Sequence, residues 1–212
     1  MRIGALFLAG ALGLLSSGLA HAETEENSSA PSLRATSTRR SDFAIGASGG
    51  FGFGRASGYP NEIDKIGDAA YRSNTKLGIG GGNLLWLGVA FNDYLTFGVG
   101  FGGFSLSGNG RDAKAQVFGF HIDAYPFFDL GENLRDLGVF SNIGTGPLTI
   151  TGGPDDAEGG AMSYLEGGLV YERLRLWRFG IGPSLSLIHM WSESVTSTSG
   201  MVGVRVAFYG GP

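Results

Sequence analysis

The chain has 212 residues, 15 lysines and arginines against 19 acids, a formal net charge of −4 and no cysteine. That balance gives no case for a basic nucleic-acid-binding surface, and the missing thiols exclude a disulfide framework and thiolate chemistry. Glycine is the outlier at 39 residues, without the Gly-x-y period of collagen.

The chain opens with Arg2, an apolar run "IGALFLAGALGLL" and a small-x-small site at Ala20-His21-Ala22. This is the pattern of a cleaved secretory signal peptide over 1–22, its apolar run being shorter than the roughly 20 residues a spanning helix needs. Residues 23–41, "ETEENSSAPSLRATSTRRS", are polar and read as a flexible linker in which Arg34, Arg39 and Arg40 are solvated.

From Asp42 onward the apolar residues alternate with period two, the signature of half-buried strands. Phe43, Ile45, Ala47, Phe51 and Phe53 share one parity of the first strand. In "TKLGIGGGNLLWLGVAF", Leu85, Leu87, Val89 and Phe91 share a parity with Asn83, which predicts a parity-shifting bulge at Gly80–Gly82. Leu95, Phe97, Val99 and Phe101 oppose Thr96 and three glycines. Phe118, Phe120 and Ile122 oppose His121, Asp123 and Tyr125. Leu137, Val139 and Ile143 follow, then Leu165, Leu169 and Tyr171 opposite Tyr164 and Glu166. Phe179, Ile181, Leu185 and Leu187 make a seventh strand, in which Pro183 predicts a kink or bulge. The last strand sets Val202, Val204, Val206 and Phe208 against Met201, Gly203, Arg205 and Ala207.

The eight predicted strands are joined by connections of unequal character. The first, third, fifth and seventh are polar and rich in Gly, Ser and Asp, the first being the longest; the others read as mostly shorter. Aromatic residues gather at the end of the shorter turns: Tyr94, Tyr125, Phe128, Tyr171, Trp177 and Tyr209 among them, with Trp191 near the opposite end. Two such girdles, with an even strand count and no continuous apolar helix, fit a transmembrane β-barrel.

The pattern over roughly 42–209 resembles the small eight-stranded outer-membrane barrels of Gram-negative bacteria, the OmpA/OmpX-like group. Gly203, Val206 and Phe208 also resemble the glycine, apolar and aromatic positions of the C-terminal strand signal read by the barrel-insertion machinery. Met201 departs from the polar position of that signal, and "YGGP" extends past the aromatic. The resemblance implies an all-β, antiparallel up-and-down barrel over 42–212, a periplasmic setting for the linker, and an outer-membrane location. It implies outer-membrane lipid, lipopolysaccharide and the insertion machinery as partners.

With lipid outside, Arg205 must point into the barrel, since an arginine on the lipid face near mid-bilayer costs about 2–4 kcal/mol. Glu166, Asp123 and His121 share the inward parity, so a lumen charge cluster is expected, with Arg205 paired to Glu166 or Asp123. His121 and Asp123 carry the pairing a serine nucleophile would need. However, His121 falls in the half of its strand away from the outer leaflet, and His189 falls on the outward parity. No metal-ligand spacing or cofactor motif is present, and the Gly-x-Gly runs lie inside strands without a following helix. A non-enzymatic outer-membrane barrel is therefore expected, as a structural or surface-loop scaffold or a narrow small-solute conduit. The alternatives are a secreted soluble lipocalin-like barrel binding an apolar ligand and, less favoured, a lipid A-modifying enzyme.

Overall fold

The computed structural model describes residues 39–153 and 155–211, so the signal-peptide reading of 1–22 and the linker reading of 23–38 lie outside the described residues. Eight long strands make the wall: β1 (Asp42–Gly58), β2 (Gly78–Asn92), β3 (Leu95–Gly108), β4 (Arg111–Ala124), β5 (Leu137–Gly146, resumed after Pro147 as Leu148–Thr151), β6 (Met162–Tyr171), β7 (Phe179–Trp191) and β8 (Val195–Tyr209). Each pairs antiparallel with its chain neighbour. β8 closes onto β1, Arg205 standing opposite Ser48, so the barrel has no free edge.

The ladder fixes the tilt. Starting at Ala47 and stepping through Leu85, Phe101, Phe118, Thr145, Ser163, Trp191 and Thr196, the register returns to β1 at Ser57. The offset from Ala47 to Ser57 is the stagger that closing eight tilted strands requires, and it leaves an interior just wide enough for side chains.

Alternation decides which side chains face lipid. Phe51 is 83% exposed, and Phe97, Phe101, Leu185, Leu187, Val202 and Val204 are also exposed on the outer wall, with no protein layer over them. Large apolar side chains bare all round a closed barrel are the mark of a lipid-facing wall. β1 has 17 residues, roughly 55 Å of chain at about 3.3 Å per residue. Even tilted by about 40°, it outruns the roughly 25 Å apolar band of such barrels.

The excess has its own polarity. Beyond Phe101 the outward residues of β3 become Gly103, Ser105 and Ser107, while Phe104 and Leu106 are buried inside. β4 inverts in the same way: Phe118 and Phe120 face out below Asp112, Lys114 and Gln116, and Ala113, Ala115 and Val117 are buried. Leu148 and Ile150 fill the interior behind outward Thr149 and Thr151. On β3, β4 and β5 this end of the barrel is polar outside and apolar inside, whereas on β1 and β2 the exposed wall stays apolar as far as Phe53 and Ile79, the latter paired with Ser107.

Several local expectations change. No bulge occurs at Gly80–Gly82: β2 alternates regularly there, and Asn83 faces outward in the polar band, so its parity needs no correction. The register shift in that pairing lies instead between Ala90 and Asn92. Pro183 keeps register with Val204 of β8, so the ladder has no bulge there. It sits where the other neighbour of β7 changes from β6 to the short strand Leu174–Leu176, a place where no ladder donor is needed. The polar connections before β4 and β8 are not long loops, because "SGNGRDAK" and "SESVTSTS" belong mostly to strands that extend past the apolar belt. Asn109 and Gly110 alone turn β3 into β4, with φ of 56° and 67°.

Candidate functional site

The end of the lumen nearest the chain termini holds a buried charge cluster. β8 carries Arg205 inward, and β4 carries His121 and Asp123 inward from across the barrel. Arg205 grips Asp123 with both terminal nitrogens, Nη1 lying 2.6 Å from Oδ1 and Nη2 contacting Oδ2. Its Nε lies 3.6 Å from Glu172 Oε1, and its guanidinium carbon stands 4.9 Å from the Trp86 ring centre. The two-pronged pairing is the geometry in which a buried arginine and carboxylate best satisfy each other.

Arg205 therefore pairs with Asp123 and not with Glu166. Glu166 sits farther along the lumen, accepting from Asn142 Nδ2 at 2.8 Å and from the Tyr164 hydroxyl at 2.5 Å. Its position follows from β6, where Tyr164 and Glu166 share one face and the phenol is the nearest donor. His121 stacks on Trp86 with ring centres 4.6 Å apart. Its Nδ1 lies 2.7 Å from Asn142 Oδ1 and its Nε2 3.0 Å from Asp123 Oδ1, so both ring nitrogens face lumen partners and neither meets a serine.

A second tier, outside the predicted cluster, closes the mouth. Arg40 is fully buried, a correction to its expected place in a solvated linker. Its guanidinium carbon lies 3.4 Å from the Tyr125 ring centre, and its Nη2 lies 3.3 Å from Asp136 and 3.5 Å from Glu172. Arg39 Nη1 reaches Asp136 at 2.6 Å, and both backbone amides of this pair donate to Asp93 Oδ1. Arg175 reaches Glu172 at 3.2 Å, and the Tyr209 hydroxyl lies 3.1 Å from both Glu172 oxygens. Carboxylates from three turns thus converge on arginines that enter from the chain before β1, from the turn after β6, and from β8.

The girdle changes accordingly. Tyr94, Trp177 and Trp191 are exposed on the outer wall, and Tyr171, half-buried, donates its hydroxyl to the Asn133 carbonyl at 3.0 Å. Tyr125 and Tyr209 are not lipid-facing: they continue the inward parities of Asp123 and Arg205, and their phenols join the charge cluster. Phe128 is also buried, on the short turn Phe128–Leu130, edge-on to Tyr94. Val206 and Phe208 face outward, Phe208 packing against Phe179 with ring centres 5.2 Å apart, while Gly203 faces inward opposite Gly50.

Parity locates Arg205, Asp123 and His121, yet the other half of the cluster escapes it. Glu172 and Asp136 sit one residue outside the strands whose inward parity they continue. Arg40 precedes Asp42, whose φ of 62° breaks the strand geometry. Above the cluster, buried Leu84, Phe104, Leu106, Met162, Ile188 and Met190 fill the lumen. The cavity left beside Ser48, Val117, Tyr164 and Glu166 is about 20 Å³, room for about one water.

No protein-family profile matches the chain, and no curated protein matches it. Among solved structures, the chain is similar to Ail, the attachment invasion locus protein of Yersinia pestis, at 12% identity and a TM-score of 0.49, over 79% of this chain and 99% of that one. It is similar to Neisserial surface protein A at 13% identity and a TM-score of 0.47, over 78% and 96%. The outer membrane protein OprG from Pseudomonas aeruginosa follows at 12% identity and a TM-score of 0.42, over 81% and 98%. The chain folds as a closed eight-stranded antiparallel β-barrel with an exposed apolar outer wall.

Proposed function

We propose that this chain is a non-conducting, non-enzymatic outer-membrane barrel whose polar end stands above the bilayer as a scaffold for surface contacts. The observation that carries this reading is the filled lumen: a cavity of about 20 Å³ between an apolar core at one end and the arginine–carboxylate cluster at the other. A conduit would need that cluster to open, and breaking one partner of a buried ion pair costs about 3–5 kcal/mol. A soluble ligand-binding barrel would need an interior cavity and a polar outer wall around its whole height. Here the outer wall carries exposed Phe51, Phe101, Leu187 and Val202. Against catalysis, His121 is held between Asn142 and Asp123, and His189 faces outward with its Nδ1 2.9 Å from Thr198 Oγ1.

The test is membrane fractionation with gel mobility compared before and after boiling, followed by conductance in planar bilayers. Outer-membrane recovery, a heat-dependent mobility shift and an absence of current steps are expected. Soluble periplasmic recovery without a shift would overturn the membrane reading, and regular unitary steps would overturn the closed-lumen reading.

A further inference from the structure

We infer that the outer wall carries a binding site for a phosphorylated glycolipid of the outer leaflet, where β7, β8 and β1 cross from the apolar belt into the polar end. This rests on the outer-membrane reading. A groove of about 650 Å³ opens there. Its polar rim holds Arg55 and Lys76, and its floor descends onto the apolar wall between Phe53 and Leu187.

The register sets these groups in two rows. Arg55 stands opposite Thr198, whose hydroxyl lies 2.9 Å from His189 Nδ1, so a cation and a hydroxyl–imidazole pair stand side by side at the rim. Two residues lower, Phe53 stands opposite Gly200, and Gly200 stands opposite Leu187. Gly200 therefore leaves a slot between two bulky apolar side chains, both exposed. A phosphate at the rim and an acyl chain in the slot fit that sequence of surfaces.

Both cations are available. Arg55 and Lys76 are exposed, and no carboxylate among the described residues lies within 4.0 Å of either. The backbone of Lys76 is held at a φ of 52° by its amide, which donates to Asn74 Oδ1 at 2.7 Å, so the stem of this side chain starts from a fixed point at the rim. Two unpaired cations beside a hydroxyl and above an apolar slot are complementary to an anionic headgroup with acyl chains, through charge-assisted contacts. The other large outer groove, about 780 Å³, contains Lys114 among Asn83, Ser105, Gln116 and Thr149 and offers no outward apolar slot. It serves as an internal control.

The experiment uses the detergent-folded chain and native mass spectrometry, with bisphosphorylated lipid A, dephosphorylated lipid A and phosphatidylglycerol as probes. R55A/K76A is expected to weaken binding of bisphosphorylated lipid A by about tenfold, a difference of 1.4 kcal/mol. K114A is expected to bind like the parent. A Cβ at Gly200 would meet Leu187 at 3.5 Å and Phe53 at 3.8 Å without a clash, and Gly200→Leu, by filling the slot, should also weaken lipid A binding. Dephosphorylated lipid A is expected to bind more weakly and to be indifferent to R55A/K76A; phosphatidylglycerol, with a single phosphodiester charge, is expected to bind more weakly and to lose less on R55A/K76A.

Parent-like binding by R55A/K76A or by Gly200→Leu, an equal loss in K114A, or phosphatidylglycerol matching lipid A would each overturn the site. Every variant is checked for the heat-dependent mobility shift. If the unsubstituted chain lacks the shift, the membrane reading fails; if the shift is intact and lipid A affinity is unmoved, this site alone fails.

Discussion

At the scale of single residues, the terminal half of the lumen is held by charge. Arg205 and Asp123 are both buried, and each is the other's main compensation. Replacing Arg205 with methionine leaves a buried carboxylate without its guanidinium, and the expected loss is about 3–5 kcal/mol. The double change R205M/D123L removes both charges and should recover much of that loss, because two apolar groups of similar size have no unpaid desolvation. Urea unfolding of the barrel in lipid vesicles measures both; a double variant no more stable than R205M would show that the pair is not the unit. Glu166→Gln should cost less than Arg205→Met, since Glu166 relies on neutral donors from Asn142 and Tyr164. The sequence made Arg205 conspicuous, as an arginine among valines on a strand. It did not make Glu172 or Arg40 so, because a parity argument ends where the strand ends, and these groups sit just past strand ends. Tyr125 and Tyr209 fit a girdle only by their nearness to the turns; the parity they share with Asp123 and Arg205 turns them inward, away from lipid.

Strand by strand, the chain's alternation was legible across the lipid belt and weakest beyond it. There the polarity inverts, so Ser105 and Ser107, or Thr196 and Thr198, read as loop residues although they lie in strands. What defines the true ends is turn chemistry. Asn109-Gly110 joins β3 to β4 with two positive φ values, the geometry that matches the twist of a two-residue hairpin and selects Asn-Gly. Gly110→Val places a β-branched residue at a φ of 67° and should destabilise this hairpin by about 1–2 kcal/mol. Thermal unfolding of the folded barrel reads that loss, and a Gly110→Val chain as stable as the parent would refute the turn's role. At the other end, Gly46 faces the Trp86 ring so closely that an added Cβ would overlap it. Trp86 covers both His121 and Arg205, so the glycine richness of β1 serves the lumen cluster as well as the curvature of the wall.

For the molecule as a whole, the polarity inversion makes a claim about where the membrane ends. Around the barrel, outward residues change from Phe53 to Arg55, from Phe101 to Ser105 and from Phe118 to Gln116. The boundary is not level: on β1 and β2 exposed apolar residues reach Phe53 and Ile79, whereas β3 and β4 are already polar at Ser105 and Gln116. A charged probe can test that boundary. Val99 lies outward within the run from Leu95 to Phe101, whereas Ser105 lies outward one step past Gly103. Val99→Arg should therefore cost about 2–4 kcal/mol, and Ser105→Arg about 0–1 kcal/mol, because the penalty for a cation on the lipid face falls steeply toward the interface. Both sites are on the same strand and the same face, so differences in strand pairing or signal recognition do not separate them; depth does. Equal penalties at the two positions would mean that lipid covers the polar end as well, and the projecting scaffold would then have no water to project into. A large penalty at Val99 with almost none at Ser105 places the bilayer surface between them, and leaves the upper barrel, with its apolar interior, as the part that meets partners from outside.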